Sequence, residues 1–367
     1  MTTKISYAKS GVDYNLLDPF KKKAQKMGLQ TAKNLDSSGL KEISQSRGES
    51  AFVWEEQDSY RAMVIEGLGT KNLVADEVAK LTGKTYYHLI AKDTVAAIVN
   101  DIITVGALPA VINAYFGLGS ADWFSDKERS EALVEGWAKA CNESGAVWGG
   151  GETPSLSGII PKNTIDLAGA CIGIIKPKNR LTLGDKLTEG DAIILLESSG
   201  IHSNGLSLAR EIANHLPQKY AAKLPDITSF GETLLTPAHI YVNLIKDLFE
   251  AGVDIHYMVN ITGHGWRKLM RANRDFIYHI TQIPHPPPIF DFIQKNSGSS
   301  DYDMYGTFNM GAGFAIYLPA TQVEKVKKIA QKHNLKSWKA GEVKKGPKQV
   351  IIEPKKITFN ASSLEIK

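Results

Sequence analysis

The chain is poor in cysteine, in long apolar runs and in clustered charge of one sign. Its two cysteines, Cys141 and Cys171, belong to no CxxC pair and to no Cys/His cluster with metal-ligand spacing, which argues against a zinc site. Both lie among apolar residues, so we expect reduced core thiols and a cytoplasmic setting, with a disulfide as the alternative. The basic residues form no long block and the net charge is only +4, so no nucleic-acid partner is expected.

Membrane and common nucleotide signatures are also missing. The longer apolar runs, such as residues 168–175, fall far below the roughly 20 residues of a membrane helix, and MTTKISYAKS has no signal-peptide core. We therefore expect a soluble protein with no membrane partner. No P-loop and no dinucleotide-binding fingerprint occurs.

Strand and helix patterns alternate along the first half, which predicts an α/β protein. Residues 61–65 and 165–175 have strand patterns, and residues 93–105 and 130–144 have helical ones. Residues 1–50 are polar and rich in lysine, and we interpret them as an arm or a lid.

A second α/β half follows a segment rich in Lys, Pro, Gly and Asp, residues 176–190. Its patterns predict strands over 191–196 and 311–319, and helices from about Gly205 and over 237–249. We therefore predict a domain over 1–176, a domain over 177–355 and a polar tail over 356–367.

Polar residues bracketed by glycines recur along some 250 positions. Glycine frees the backbone to turn N–H groups toward an anion, and Lys71 adds positive charge to the first segment. Together the segments predict a site for a phosphorylated ligand and its metal; a tight turn with a surface lysine is the alternative for the first. They are residues 66–71 (EGLGTK), 149–153 (GGGET), 199–205 (SGIHSNG), 261–265 (ITGHG) and 307–311 (TFNMG).

A polar stripe on the helix predicted over 93–105 belongs to the same set. Asp93, Asn100 and Thr104 are spaced i, i+7 and i+11 and so share one helix face, with Asp101 beside them. Oxygen ligands of this kind suit hydrated Mg²⁺ and its phosphates. The alternatives are a solvated stripe and, for Asp93 near the predicted helix start, a cap.

Two segments carry the sharpest candidates. Three consecutive glycines precede Glu152, which indicates a close backbone approach and a carboxylate able to reach a metal, with a glycine-rich hairpin as the alternative. His202 lies between a strand and a helix, a usual place for ligands in α/β domains, and is a candidate acid, base or hydrogen-bond donor. Helix caps at Ser203 and Asn204 and a packed turn histidine are the alternatives.

In this order the segments resemble the phosphoribosylformylglycinamidine cyclo-ligase family, also called aminoimidazole ribonucleotide synthetase, over nearly the full length. The resemblance implies an α/β (α+β) fold of two domains. The N-terminal domain would form a β-barrel with a second copy in a homodimer, and the C-terminal domain would be an α/β sandwich. Further matching pieces are residues 7–13 (YAKSGVD), 99–102 (VNDI), 106–109 (GALP), 235–241 (LTPAHIY) and 304–311 (MYGTFNMG).

The resemblance also implies a reaction and roles. ATP and Mg²⁺ would drive ring closure of formylglycinamidine ribonucleotide to aminoimidazole ribonucleotide, with release of ADP and phosphate. The implied catalytic residues are His202, Lys71 and Asp93, and the implied metal ligands are Glu66, Asp93 and Glu152. ATP would contact Gly67, Gly69, Thr70, Lys71, Asn100, Asp101, Gly150 and Gly151, and the phosphorylated substrate would contact Ser203, Asn204, Gly205, Thr262 and Gly263.

Several positions depart from the family pattern. Glu66 stands where the family usually has Asp, residues 47–52 (RGESAF) replace a glycine-rich stretch, and residues 154–158 (PSLSG) lose an acidic residue. His264 interrupts a run of glycines. The chain is thus a divergent member, and the alternatives are another ATP-using enzyme of the superfamily or a non-catalytic nucleotide-binding dimer. A selenophosphate synthetase would carry a reactive cysteine near its N-terminus, and none precedes Cys141.

Overall fold

The computed structural model describes residues 14–364, with side chains from Leu16 onward, so the predicted opening motif at 7–13 lies outside the described residues. The helices are α1 (Tyr14–Leu29), α2 (Lys71–Thr82), α3 (Tyr87–Ile102), α4 (Lys127–Ser144), α5 (Leu206–His215), α6 (Phe230–Leu234), α7 (Val242–Glu250), α8 (Pro288–Ser297), α9 (Asp301–Tyr305) and α10 (Val323–Lys332). The strands are β1 (Lys41–Glu42), β2 (Phe52–Glu56), β3 (Ser59–Gly67), β4 (Leu108–Leu118), β5 (Val147–Glu152), β6 (Ile165–Ile175), β7 (Asp191–Glu197), β8 (Tyr257–Asn260), β9 (Phe276–Ile280), β10 (Ala312–Pro319), β11 (Ser337–Lys345), β12 (Gln349–Ile352) and β13 (Ile357–Asn360).

The N-terminal half is a six-stranded sheet in the order β1-β2-β3-β6-β4-β5, antiparallel except for the parallel pair β4 and β5. Helices α3 and α4 cover one face of this sheet. Alternate residues of β3, including Ala62 and Val64, are buried on that face, as expected for a half-covered sheet. Trp137 of α4 packs edge-on against Phe116 of β4, with ring centroids 5.1 Å apart.

The other face of the N-terminal sheet carries exposed apolar side chains. The register places Met63, Ile172, Val111 and Val147 in one row across β3, β6, β4 and β5. These side chains are 44%, 41%, 40% and 64% exposed, and Ile65 beside them is 73% exposed. An exposed apolar row of this extent is uncommon on the surface of a monomeric protein.

The C-terminal half is a seven-stranded sheet in the order β13-β12-β9-β11-β7-β10-β8, antiparallel except for the parallel pair β12 and β9. Residues 191–196 of β7 and 312–318 of β10 are buried without interruption, so these strands form the centre of the domain core. The architecture therefore agrees with the α/β fold of two domains that the sequence predicts.

Three elements differ from the sequence-based expectations. Helix α3 begins at Tyr87, six residues before Asp93, so Asp93 is an interior helix residue and not a cap. Helix α7 begins at Val242, because residues 237–241 form an extended loop. The predicted tail instead contains β13, which pairs with β12 and buries Phe359 completely.

Both cysteines are free and buried, as the sequence predicts. Burial raises the pKa of Cys141 to about 11 and that of Cys171 to about 12, so both thiols stay protonated. Within residues 14–364, no helix combines the length and hydropathy that crossing a bilayer requires.

Candidate active site

Helix α3 directs its polar stripe at the C-terminal domain. Asp93 Oδ1 accepts a hydrogen bond from the backbone N–H of Ala238 at 2.8 Å, and Asp93 Oδ2 lies 2.7 Å from Lys71 Nζ. Asn100 donates to the carbonyl of His239 at 2.8 Å and accepts from the N–H of Tyr241 at 3.0 Å. The stripe predicted to bind metal and phosphate therefore holds the loop that precedes α7.

Lys71, the first residue of α2, is fully buried at the same interface. Its Nζ donates to the carbonyls of His202 at 2.9 Å and Thr236 at 3.0 Å, in addition to its ion pair with Asp93. Three protein oxygens thus surround the ammonium group. The predicted contact of Lys71 with ATP phosphate stays a prediction, and it would require one of these three contacts to be given up.

The loop 198–205 between β7 and α5 carries His202 in a strained backbone conformation. His202 has φ of 58°, in the left-handed region that non-glycine residues rarely occupy. Its ring packs against Gly313 of β10, where a Cβ would stand 2.7 Å from Cε1. Strain kept in this way at a buried polar residue is typical of functional sites.

The hydrogen bonding of His202 defines its tautomer. Its Nε2 accepts from the N–H of Ser199 at 3.3 Å, which requires the proton of the neutral ring to be on Nδ1. Burial, then the nearby His239 and Lys71, holds the pKa of His202 well below its ordinary value. The ring is therefore neutral at physiological pH and offers a hydrogen-bond donor at Nδ1.

Asn309, from the TFNMG segment, fixes the same loop from the other side. Its Oδ1 accepts from Ser198 Oγ at 2.8 Å and from the N–H of Gly311 at 3.0 Å, while Nδ2 donates to the carbonyl of Gly200 at 2.9 Å. Phe308 occupies the space where a Cβ at Gly205 would stand, 2.0 Å away. Two predicted loops thus form one unit in which the side chains of Ser203 and Asn204 remain partly exposed.

A second polar cluster lies where β3 ends. The carboxyl groups of Glu66 and Asp101 face each other, and Asn260 donates to Asp101 Oδ1 at 2.7 Å. Lys268 donates to Thr262 Oγ1 and lies 3.5 Å from the carbonyl of Asn260. Burial, followed by the charge of Asp101, raises the pKa of Glu66 to about 8, and burial lowers that of Lys268 to about 8. Sequence reasoning missed Lys268 and Asn260, because neither lies in a glycine-bracketed segment.

The protonation of Glu66 gives a prediction for stability. Glu66 ionises near 4.5 in the unfolded chain and near 8 in the folded one, so the folded protein binds more protons between these values. The contribution of Glu66 to the free energy of unfolding should therefore fall as pH rises from 5 to 8. In urea titrations, Glu66→Gln should lose less stability than wild type over this range, while Glu131→Gln on the exposed face of α4 should follow wild type. Parallel profiles for Glu66→Gln and wild type would contradict the shift.

The segment that replaces the family's glycine-rich stretch is held by the C-terminal domain. Arg271 donates to the carbonyl of Gly48 at 2.8 Å and to Ser50 Oγ at 2.9 Å. Tyr257 donates to Glu49 Oε2 at 2.8 Å. Residues 48–50 therefore bridge to β8 and to the turn beside Lys268.

His264 adopts the left-handed conformation that glycine would favour, with φ of 68°. Its Nε2 lies 3.3 Å from Asp18 Oδ2 of α1, so helix α1 packs over this end of the site. Burial first, and then the cations around it, lowers the pKa of His264 to about 3. His264, which interrupts the family's run of glycines, thus connects helix α1 to the 262–265 loop.

Glu152 and the glycines before it lie elsewhere. They belong to β5, at the sheet edge, and the register separates Glu66 from Gly151 by three strand spacings, roughly 14 Å at about 4.8 Å each. Glu152 pairs with Tyr115 on the open apolar face, whereas Glu66 shares the helix-covered face of β3 with Val64. A close backbone contact explains why residue 151 is glycine, since a Cβ at Gly151 would stand 2.2 Å from the carbonyl oxygen of Ala114.

The three predicted metal ligands therefore do not converge within one chain. Asp93 is paired with Lys71, Glu66 with Asp101, and Glu152 is exposed on the opposite face of the sheet. Over residues 14–364, no cluster of three or more His, Cys, Asp or Glu side chains is arranged to hold a metal ion. Gly67, Gly69 and Thr70 do adjoin Glu66, in the turn that leads from β3 into α2.

A cavity of about 780 Å³ lies away from these clusters, near the far end of α2. Its walls include residues of α2, α4, α5 and the 162–164 segment, and none of the predicted site residues lines it. The candidate site is instead the interface between the domains, where the His202 loop, the Glu66 cluster and α3 meet.

Comparisons with known proteins identify the family of the chain. The model of the AIR synthase related protein N-terminal domain matches residues 48–175, and that of the C-terminal domain matches residues 188–353. The chain belongs to the AIR synthase related protein family. Similar proteins include the phosphoribosylformylglycinamidine cyclo-ligases of Methanococcus vannielii, 34% identical over 81% of both chains, and Methanothermobacter thermautotrophicus, 34% identical over 89% of this chain and 91% of the relative.

Solved structures with the same fold include HypE in its complex with HypF, with a TM-score of 0.61 and 17% identity over 85% of this chain and 92% of that one. The hydrogenase maturation protein HypE in complex with ATP has a TM-score of 0.57 and 20% identity over 80% and 81%. PurL of T. maritima complexed with ATP has a TM-score of 0.56 and 15% identity, over 86% of this chain and 46% of that chain. Because these sequence identities are low, the structural similarity establishes only the fold of the chain, the AIR synthase fold.

Proposed function

We propose that the protein is an ATP-dependent cyclo-ligase that closes the ring of formylglycinamidine ribonucleotide to give aminoimidazole ribonucleotide, ADP and phosphate. The named relatives support this reaction. The observation that carries the proposal is the neutral, buried imidazole of His202, held in a strained loop with its Nδ1 proton available at the domain interface.

The proposed chemistry turns a poor electrophile into a good one. The amide oxygen of the substrate attacks the γ-phosphorus of ATP, and the bond to ADP breaks. The amidine nitrogen of the same molecule then attacks the amide carbon, loses a proton, and phosphate departs with the former amide oxygen. Because the second attack is intramolecular, much of the catalysis is positioning.

His202 would serve this chemistry as a hydrogen-bond donor. A neutral imidazole with its proton on Nδ1 orients the amide oxygen and then stabilises the oxygen that bridges carbon and phosphorus. A histidine kept neutral is a weak acid, so we do not assign proton transfer to it. Ser203 and Asn204, partly exposed just before α5, and the backbone of the buried Gly205 would bind the substrate phosphate or amide, since helix N-termini favour such groups. Thr262 and Gly263 would contact the substrate beside Lys268.

The Glu66 and Asp101 carboxyl groups fit Mg²⁺. This ion is commonly held by one or two carboxylates together with phosphate oxygens and water. Burial and the charge of Asp101 favour a proton on Glu66, and a bound cation would take the place of that proton. When bound with ATP, Mg²⁺ would neutralise charge on the transferred phosphoryl group. Gly67, Gly69 and Thr70 adjoin this pair and would contact the ATP phosphates through their backbone.

Direct assay tests the proposal. Purified protein with ATP, Mg²⁺ and formylglycinamidine ribonucleotide should release one ADP for each diazotisable aminoimidazole formed. ATP binding without turnover would instead favour a non-catalytic nucleotide-binding dimer. ADP formation without the aminoimidazole would favour another ATP-using reaction of the superfamily.

We further propose a cytoplasmic homodimer formed through the open face of the N-terminal sheet. The support is the apolar row of Met63, Ile172, Val111 and Val147, which a second copy would cover. Gly150 and Glu152 lie on this open face of β5, with Gly151 between them, so their proposed contacts with ATP would be made across this interface.

A charge in the apolar row should dissociate the dimer. Ile172→Glu places a carboxylate between Met63 and Val111, and burying it unpaired is strongly unfavourable. Light scattering should give twice 40.1 kDa for wild type and 40.1 kDa for the variant. Ile159→Glu, at a position 79% exposed on a loop, should remain dimeric. A monomeric wild type, or a dimeric Ile172→Glu, would contradict this interface.

A further inference from the structure

Lys71 and Asp93 form a completely buried ion pair at the domain interface. Both side chains have no exposed surface, and Nζ and Oδ2 are 2.7 Å apart. Both residues belong to the N-terminal domain, at the start of α2 and in the middle of α3. Two charges removed from water in this way are costly unless all their hydrogen-bonding groups are engaged.

The remaining polar atoms of the pair contact two loops of the C-terminal domain. Lys71 Nζ donates to the carbonyls of His202 and Thr236, at 2.9 and 3.0 Å. Asp93 Oδ1 accepts from the N–H of Ala238 at 2.8 Å. A single ion pair thus ties the His202 loop and the 236–238 segment to the N-terminal domain, with Lys71 Nζ close to three protein oxygens and each Asp93 oxygen close to a protein nitrogen.

We propose that Lys71 and Asp93 are positioning residues that hold His202 in its active geometry, and not direct ligands of ATP phosphate or metal. This inference rests on the proposed function of His202. The contact is at the backbone of His202 itself, the residue with φ of 58°. Fixing its carbonyl keeps Nε2 on the N–H of Ser199 and therefore leaves the Nδ1 proton available to the substrate. Ser199 Oγ donates a hydrogen bond to the carbonyl of Pro237 at 2.5 Å, which connects the two loops directly.

A neutral replacement of both members tests this role without leaving an unpaired buried charge. Lys71→Met/Asp93→Leu has similar volume, and such replacements of buried ion pairs are often neutral or stabilising, so the protein should fold with a melting temperature close to that of wild type. We expect kcat to fall by about 100-fold or more, the cost typical of misplacing a catalytic group, with ATP affinity changed by less than about threefold. Asp93→Asn keeps one acceptor oxygen but turns a donor toward Lys71 or Ala238 and leaves the Lys71 charge without its partner, so this variant should lose stability as well as kcat.

The matched control is Lys80→Met/Glu77→Leu. That ion pair is on the same helix, with its atoms 2.6 Å apart, but its side chains are 70% and 48% exposed. It should change neither kcat nor ATP affinity. If it lowers kcat as much as the buried double variant does, the effect is a general one on α2 and the positioning role is refuted.

A spectroscopic measurement separates this inference from the proposed reaction. In ¹⁵N-labelled protein, His202 should show the pattern of a neutral ring protonated at Nδ1, and the Lys71→Met/Asp93→Leu variant should lose that pattern. This readout does not depend on turnover, so it remains decisive if wild type fails to produce aminoimidazole. Any one of three results in the Lys71→Met/Asp93→Leu variant would overturn the assignment. They are an unchanged His202 pattern, a kcat within threefold of wild type, and a loss of ATP affinity by 30-fold or more. The last would show that Lys71 binds phosphate directly.

Discussion

Replacing His202 with alanine is expected to lower kcat by about 10²–10³-fold, the effect of removing one preorganised donor at a reacting oxygen. ATP affinity should change by less than about threefold, because the ring contacts Ser199 and Gly313, whereas the proposed ATP contacts come from the 67–70 turn. Steady-state kinetics and calorimetric titration with ATP measure the two effects separately. A near-normal kcat in His202→Ala would remove His202 from the mechanism.

His202→Asn is the informative companion variant. Asparagine tolerates the left-handed backbone conformation, and its side-chain amide provides an N–H donor close to the position of Nδ1. It should retain more activity than His202→Ala, whereas His215→Ala, at the exposed end of α5, should be indistinguishable from wild type. Because burial keeps the pKa of His202 well below its ordinary value, its protonation should cause no loss of kcat between pH 6 and 8. A loss in this range that disappears in His202→Asn would contradict a neutral donor.

Asp101→Asn is expected to have the second large effect, a fall in kcat of about 10²–10³-fold with a higher Mg²⁺ requirement, since one charged group at the phosphoryl site is lost. The amide can still accept the hydrogen bond from Asn260, so the fold should be retained. Initial rates over a range of Mg²⁺ concentrations at saturating substrate separate the two parameters. We expect additional Mg²⁺ to recover part of the rate.

The matched control for Asp101→Asn is Asp76→Asn on α2. Asp76 is a half-buried carboxylate in the middle of α2, where it accepts a hydrogen bond from Tyr87 at 2.9 Å. This variant should keep the wild-type Mg²⁺ dependence. If Asp101→Asn also keeps it, Asp101 does not take part in binding the ion.

Local pattern was enough to predict some of the regular elements, although not β13 in the predicted tail. Strand β6 has the bounds expected from its apolar run, and α4 ends before Gly145, whose φ of 70° is the left-handed cap that glycine favours. Helix α7 was predicted to begin at Pro237, five residues too early. The physical reason is tertiary, because Asp93 and Asn100 hold residues 238–241 in an extended loop.

The candidate site was predicted in part. Sequence order identified the loops that meet at the domain interface, including those of His202 and Asn309. It could not show that Glu152 and Glu66 lie on opposite faces of one sheet, because strand order is set by pairing and not by position in the chain. Nor could it show that Lys71 and Asp93 form an ion pair, because these residues are 22 positions apart and come into contact only when α2 packs against α3.

The central claim, ring closure through a phosphorylated amide, is tested most directly by oxygen transfer. Formylglycinamidine ribonucleotide labelled with ¹⁸O at the amide oxygen is turned over once with ATP and Mg²⁺, and the inorganic phosphate is analysed by mass spectrometry. We predict that every phosphate released with aminoimidazole ribonucleotide carries one ¹⁸O atom. Unlabelled phosphate accompanying the product would contradict the account, because the amide oxygen would then leave by a route that does not involve phosphorylation.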